Sequence, residues 1–309
     1  MNTVLLKYAV EVEKTGSITQ AAANLYMDQP NLSKAIKTLE EGLGAPIFKR
    51  TSKGVVPTAR GRIFLEHARN VLIQIDEMEH LYKGDQGGGV EFSLSMPRAS
   101  YLSTAFSRFI GKIGEEDGMN VWLRETNSAD TIREVETGEY NLGIIRYPEG
   151  MEKYYKKEVA AAGLVMEPIF LFSLRILLSS NHPLADQTGI DVETLTDYIE
   201  IVHGDGVSTK SDEYGRGMKY PESPKRIYVF ERGSQFHLLC DNPNTYMWVS
   251  PMPEELLTRY HLVEKQCKRH QKRFKDAIIY RKGYTLTGWD KKFLEQLEVV
   301  KKELKIQEC

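Results

Sequence analysis

Three cysteines, Cys240, Cys267 and Cys309, are too few and too scattered for a disulfide framework, and no CxxC pair offers zinc a ligand set. No run of about 18 apolar residues occurs, which excludes a transmembrane helix. Lys7, Glu11, Glu13 and Lys14 interrupt the first apolar stretch, so it does not read as a signal peptide. A reducing cytoplasm is the expected compartment. Neither sign of charge dominates: 41 Lys and Arg face 43 Asp and Glu, a net of −2. That average alone gives no hint of a nucleic-acid partner. Catalytic signatures are missing as well. There is no G-x-S-x-G elbow, no P-loop, no H-E-x-x-H and no G-x-G-x-x-G after a strand. The seven histidines show no metal-ligand spacing. No metal, no cofactor and no enzymatic activity is therefore expected. Nothing places a base beside Cys240 or Cys267 to lower its pKa, so both read as inert thiols.

What is there fits a globular protein of two or three domains: 309 residues, 41% apolar and 27% charged. The charge is unevenly spread. Residues 29–69 carry eight bases against three acids, a net of +5. A compact basic stretch on a nearly neutral chain is the footprint of a DNA-contacting face, with a solvated helical surface as its bland counterpart.

The first 84 residues read as helices. Val4, Leu5, Tyr8, Ala9 and Val12 recur at helical spacing up to Gly16. Ser17 and Gln20 have the spacing of a capping box for a second helix, which turns inward at Ala21, Ala22 and Leu25. After a short Tyr26-Met27 turn, Asp28 is placed to cap a third helix, with Pro30 in its first turn. Leu32, Ala35, Ile36 and Leu39 make its inner face, and Gln29, Asn31, Ser33, Lys34, Lys37 and Thr38 its outer one. Two short helices and a tight turn make a helix-turn-helix, whose second helix reads the major groove. A two-stranded wing should follow over 47–57. Thr58 then opens a long helix in which Phe64, Ala68, Val71, Ile75, Met78 and Tyr82 follow a heptad seam for a second copy of the chain. Gly84 to Gly89 reads as a flexible linker.

This segment resembles the DNA-binding domain of the LysR-type transcriptional regulators. The likeness is carried by Gly16-Ser17-Ile18-Thr19-Gln20-Ala21-Ala22 and Asp28-Gln29-Pro30-Asn31-Leu32-Ser33-Lys34-Ala35-Ile36. It continues through Leu39-Glu40, Leu43-Gly44, Ile47-Phe48-Lys49-Arg50 and Pro57-Thr58-Ala59-Arg60-Gly61. The resemblance implies an all-α winged helix-turn-helix (1–58), a linker and dimerisation helix (59–84) and a hinge (85–89). Beyond these it implies an α/β effector domain built like a two-lobed periplasmic binding protein. Its first lobe is expected over 90–162 and 266–309, and its second over 163–265. Carried over, Gln29, Asn31, Ser33 and Lys34 would read bases or nearby phosphates, and Arg50, Lys53 and Thr58 would contact the DNA backbone. Asp28 departs from the usual hydroxyl residue and brings a carboxylate close to phosphates.

From Val90 the pattern alternates strands with helices, as a parallel α/β sheet requires. Asn181-His182-Pro183-Leu184-Ala185 resembles a motif of the family's second lobe. Asn141 replaces a usual acid, and Asp241-Asn242-Pro243-Asn244 a usual Gly-containing loop. Ligands of open α/β sheets bind beyond the carboxyl ends of strands. The effector site is therefore expected at Ser100, Thr126, Asn127, Ser128 and His203, and the resemblance adds Ser250. For each, a plain capping or turn role is the rival reading.

Together these features point to a cytoplasmic, ligand-responsive regulator with promoter DNA and a small molecule as partners. It should assemble as a homodimer or homotetramer, with RNA polymerase as a further implied partner. A small-molecule-binding protein and an α/β enzyme sharing the two-lobe fold are the alternatives.

Overall fold

The computed structural model describes residues 2–51, 54–83, 89–114, 118–204, 224–230, 233–268 and 273–304. It divides into two compact units, Met1–Gly88 and Gly89–Cys309. The expected hinge lies almost wholly outside the described residues.

In the first unit, helix α1 (Thr3–Thr15) buries Leu6, Ala9 and Val12 and ends at Gly16, whose φ of 63° is the left-handed stop the sequence suggested. Helix α2 (Ile18–Asn24) is capped by Ser17, whose hydroxyl accepts from Gln20 N–H at 3.3 Å. The reciprocal half of the expected box is not formed. The Gln20 amide donates instead to Asn24 Oδ1 at 3.0 Å. Helix α3 (Gln29–Leu43) runs to Gly44, φ 68°. Asp28 sits at its N-cap position, yet its carboxylate accepts no capping bond. Leu32, Ile36 and Leu39 meet Ala9, Val12, Ala21 and Ala22 in one core, with Ile47 and Leu65. The small alanines let the helices cross closely.

The wing pairs β1 (Phe48–Thr51) antiparallel with β2 (Gly54–Pro57). Two polar ties fix it to the helices. Glu40 Oε1 accepts from Ile47 and Phe48 N–H at 2.8 and 3.0 Å, and Val55 N–H donates to Gly16 O at 2.8 Å. Helix α4 (Ala59–Lys83) then crosses the wing's base at Gly61, where a Cβ would stand 1.9 Å from Ile47 O.

The second unit holds two sheets. The first has strand order β4-β3-β5-β13-β6, from β3 (Val90–Met96), β4 (Met119–Glu125), β5 (Leu142–Pro148), β6 (Leu164–Ser173) and β13 (Arg273–Arg281). Strand β3 runs parallel to β4 and β5, whereas β13 is antiparallel to β5 and β6. Helices α5 (Ser100–Ile110), α6 (Ser128–Glu136), α7 (Glu152–Ala161) and α10 (Gly288–Glu303) belong to this lobe. A full capping box at Thr287 and Asp290 starts α10. Its Phe293, Leu297 and Val300 join Phe92, Leu94 and Phe109 in the lobe's largest core.

The second sheet has the order β10-β9-β11-β7-β12-β8. Its strands are β7 (Arg175–Ser179), β8 (Gly189–Ile190), β9 (Ile199–His203), β10 (Arg226–Val229), β11 (Thr245–Val249) and β12 (Leu262–Cys267). Helices α8 (Gly233–Asp241) and α9 (Glu254–Arg259) accompany them.

The expected lobe boundary at 163 is corrected. Strand β6 pairs with β13 along its length and so belongs to the first lobe. The chain crosses at Leu174, inside what reads in sequence as one apolar run, and returns between Cys267 and Arg273. The two departures from the family pattern have structural roles. Asn141 Oδ1 accepts from Arg281 Nη2 at 2.9 Å. In the 241–244 loop, Asn242 closes α8 onto Leu238 O and Asn244 O pairs with Ile199 N–H.

Candidate nucleic-acid interface and effector cleft

Helix α3 is two-faced. Its core side is Leu32, Ile36 and Leu39; its other side presents Asn31, Lys34, Lys37 and Thr38 fully and Gln29 and Ser33 in part. Among the described residues, the side chains of Gln29, Asn31, Ser33 and Lys34 make no hydrogen bond or ion pair. Asn31 and Lys34 are exposed and Gln29 and Ser33 half-buried, so this polar face is open to solvent. Lys37 is held by Glu41 at 3.7 Å, and Thr38 Oγ1 donates back to Lys34 O at 3.0 Å. Arg50 is exposed on β1, beside exposed Lys49. Lys53 lies outside the described residues.

Thr58 behaves otherwise than expected. Its hydroxyl donates to Pro46 O and accepts from Gly61 N–H, each at 2.9 Å, and its own N–H donates to Ile47 O at 2.8 Å. Both donors are engaged in joining the wing to α4, so neither is left for a phosphate.

The expected seam on α4 is divided between two faces. Ala68 is buried and Phe64 packs on the unit's own core beside Leu65, so these two serve the fold rather than a second copy. Arg69 pairs with Glu13 of α1 on the same side. Further along, Val71 and Met78 are exposed at 42% and 61%, with Ile75 half-buried between them. His67, Asn70 and Gln74 share their face. Ile63, 59% exposed, lies about two turns before Val71 on the same helix.

The cleft is built from strand ends. Because β3 and β4 are parallel, Arg98, Ser100 and Thr126 follow them on one edge of the first sheet. Strand β9 is parallel to β10 and β11, so His203, Phe230 and Ser250 lie on one edge of the second. These edges meet: Arg98 Nη2 donates to Phe230 O at 2.8 Å. The Phe230 ring lies over Gly204, where a Cβ would stand 2.4 Å from it. Ser100 and Ser250 are buried, and His203 is half-buried. Ala99, at the N-cap of α5, offers its first amides no side-chain acceptor.

Thr126, Asn127 and Ser128 turn largely to structural use. Asn127 caps α6, accepting from Asp130 N–H at 2.9 Å and donating to Asp130 Oδ2 at 2.8 Å. Ser128 Oγ donates to Arg146 O and accepts from Arg146 N–H, at 2.8 and 2.9 Å. Thr126 Oγ1 reaches Asp130 at 3.4 Å.

One group at this end of the first lobe escapes sequence reading. Arg146 grips buried Asp276 in bidentate fashion at 2.8 and 2.7 Å, and the Tyr101 hydroxyl donates to the same carboxylate. The Arg146 guanidinium also lies 4.8 Å from the Phe172 ring centre. Burial, reinforced by the Asp276 charge, pushes the Tyr101 hydroxyl well above its ordinary range. The only local signal is a charge at the end of an apolar strand; its partner stands 130 residues away. Among the described residues no group of three His, Cys, Asp or Glu could hold a metal ion. Nor is any described helix long and apolar enough to cross a membrane.

The first unit is a winged helix-turn-helix with an exposed polar face on α3, and the second is a two-lobed α/β unit whose strand ends face a cleft. The comparisons with known proteins agree. Residues 4–62 match the model for bacterial regulatory helix-turn-helix proteins of the lysR family, and residues 114–287 match that for the LysR substrate binding domain. The chain belongs to the LysR family.

Among curated proteins it is 30% identical over 200 residues to the uncharacterized HTH-type transcriptional regulator YnfL of Escherichia coli K12, covering 62% of this chain and 61% of that protein. To the HTH-type transcriptional regulator AlsR of Bacillus subtilis 168 it is 29% identical over 201 residues, with the same coverage of 62% and 61%. The matched part thus spans about three-fifths of these relatives' length. In fold, the chain resembles a full-length OxyR variant from Pseudomonas aeruginosa. The TM-score is 0.66 at 18% identity, over 100% of this chain and 99% of that one. It also resembles full-length CbnR in complex with its target DNA, with a TM-score of 0.54 at 18% identity, over 97% and 100% of the two chains.

Proposed function

We propose that the protein is a ligand-responsive transcription regulator of the cytoplasm that binds promoter DNA by sequence. The observation that carries this reading is the outer face of α3, where Gln29, Asn31, Ser33 and Lys34 have no partner among the described residues. Gln and Asn can bond adenine edges in bidentate fashion, and Lys reaches guanine acceptors or phosphates. Arg50 on the wing supplies a backbone contact, and so does Lys53, which lies outside the described residues. The domain plan is a reader (1–58), a linker helix (59–84), a hinge (85–89) and a two-lobed sensor. RNA polymerase at the same promoter is the further partner this reading implies. The protein acts by binding, without catalysis.

The effector is a small molecule held between the lobes, against Ser100, His203, Ser250 and the uncapped first turn of α5. A helix start of that kind favours an anionic group. Binding drives a response only through unequal affinity for two lobe arrangements. The protein works as a homo-oligomer. Support comes from the exposed stripe on α4 and from edge strand β4, where Met119 and Trp122 are 51% and 52% exposed.

Fluorescence anisotropy with a labelled duplex from upstream of the chain's own gene tests the reading. Binding should be tighter than to a random duplex, and it should fall steeply between about 50 and 200 mM salt. Equal, salt-insensitive binding to both duplexes would sink it. A thermal-shift screen of small acids and amino acids then finds the effector.

A further inference from the structure

Between α2 and α3 stands Tyr26, with φ +52° and 98% of its surface exposed. The turn is a complete Schellman closure of α2. Met27 N–H donates to Ala22 O at 3.0 Å and Tyr26 N–H to Ala23 O at 3.2 Å. The residue in the left-handed position of that motif is usually glycine, because a Cβ is strained there. Here the position carries one of the largest side chains. Met27 packs on the core beside it, so the turn's apolar anchor is already supplied. The Tyr26 ring contributes nothing to that core. A strained backbone that displays an aromatic side chain wholly to water points to an external partner.

We propose that Tyr26 contacts the DNA backbone, its hydroxyl donating to a phosphate beside the groove that α3 enters. This rests on the DNA-binding reading above. Tyr26 precedes Gln29 by three residues, so their Cα atoms are at most about 11 Å apart. The major groove is about 12 Å wide. With Gln29 at base edges, Tyr26 stands at the groove wall, where phosphates run. A tyrosine hydroxyl is a standard phosphate donor, and such contacts fix register without reading sequence. The left-handed turn leaves the side chain 98% exposed, clear of the helix core.

Full-length Tyr26→Phe and Tyr26→Gly variants test it. Anisotropy is read on two duplexes, the region upstream of the chain's own gene and a random sequence of equal length, across a salt series. Tyr26→Phe should weaken binding to both duplexes by roughly 3- to 10-fold, the scale of one solvent-exposed hydrogen bond that competes with water. The salt slope should not change, because a neutral donor releases no counterion. Tyr26→Gly should weaken binding at least as much while raising the melting temperature by about 2–4 °C, since glycine takes the left-handed turn freely. A gain in stability with a loss of affinity is an outcome a purely structural role cannot give. Unchanged affinity in both variants overturns the proposal. So does a loss confined to the specific duplex, or a Tyr26→Gly variant that melts lower. If the wild-type chain itself shows no salt-sensitive binding, the DNA-binding reading falls and this inference falls with it.

Discussion

His182 shows how a single residue ties sequence to pH response. In sequence it belongs to the Asn181–Ala185 motif, which suggests a family likeness but no role. In the fold it is buried, its Nδ1 accepts from Leu184 N–H at 3.0 Å, and its ring centre lies 4.5 Å from that of Tyr198. An imidazole accepting through Nδ1 must be neutral there. Burial accordingly pulls its pKa down to about 4. The unfolded chain takes up a proton below about 6.5 while the native chain does not, so falling pH favours unfolding. The stability held above about pH 6.5 is lost progressively down to about pH 4, a change on the order of 3 kcal/mol. Urea denaturation at several pH values should show this loss, and His182→Gln should reduce it. Parallel pH profiles for the two proteins would contradict the assignment. Gly61 teaches a related lesson. Its place in the family-like run was legible, but the Ile47 carbonyl that excludes a Cβ came only with the fold.

At the scale of elements, helix α4 separates what periodicity reveals from what it hides. The spacing of Phe64, Ala68, Val71, Ile75 and Met78 told correctly of an apolar stripe. It could not say what covers each turn, because a heptad reads the same against a neighbouring helix or a second chain. The structure splits the stripe: Phe64 and Ala68 lie on the unit's own core, whereas Val71 and Met78 are exposed. Two kinds of variant should therefore behave differently. Phe64→Ala should lower the melting temperature of the helix-turn-helix unit, with a loss of about 2–4 kcal/mol typical of a truncated core aromatic at partial burial. A Val71→Glu/Met78→Glu pair should leave that unit folded and weaken self-association, because charges would enter a stripe proposed to meet a second copy. Sedimentation velocity alongside thermal melting distinguishes them. A native-size oligomer in the Glu pair would remove α4 from the interface. The missed lobe boundary has a similar origin. Neither glycine nor proline marks the crossing at Leu174, so β6 and β7 read as one run although they belong to different sheets.

For the whole molecule, the near-zero net charge conceals a division of labour. The +5 stretch over 29–69 spans α3, the wing and the start of α4, and the 89–309 unit carries most of the remaining acids. The alternation of strands and helices disclosed two α/β lobes, since each strand and helix follows local pattern. The contacts between the lobes were not disclosed, because they join residues more than a hundred positions apart. Each lobe has cores of its own, Phe92 and Phe293 in one, Ile176 and Tyr246 in the other. Removing a bond between them should therefore loosen their arrangement without unfolding either. Arg98 makes such a bond to Phe230 O, and Arg108 of α5 reaches Glu255 of α9 at 3.4 Å. Both bonds are exposed, and the second, an ion pair away from the strand ends, contributes little. The first sits at the cleft and is charge-assisted, so it bears more on closure. Arg98→Ala should keep the melting temperature within about 2–3 °C, the scale of one hydrogen bond in a chain this long. It should also enlarge the radius of gyration of the isolated 89–309 unit in solution scattering. An effector that favours the closed arrangement must then act against a more open starting population, so its apparent affinity should fall. Scattering and ligand-induced stabilisation that both match the wild-type chain would show that this bond does not govern the lobes.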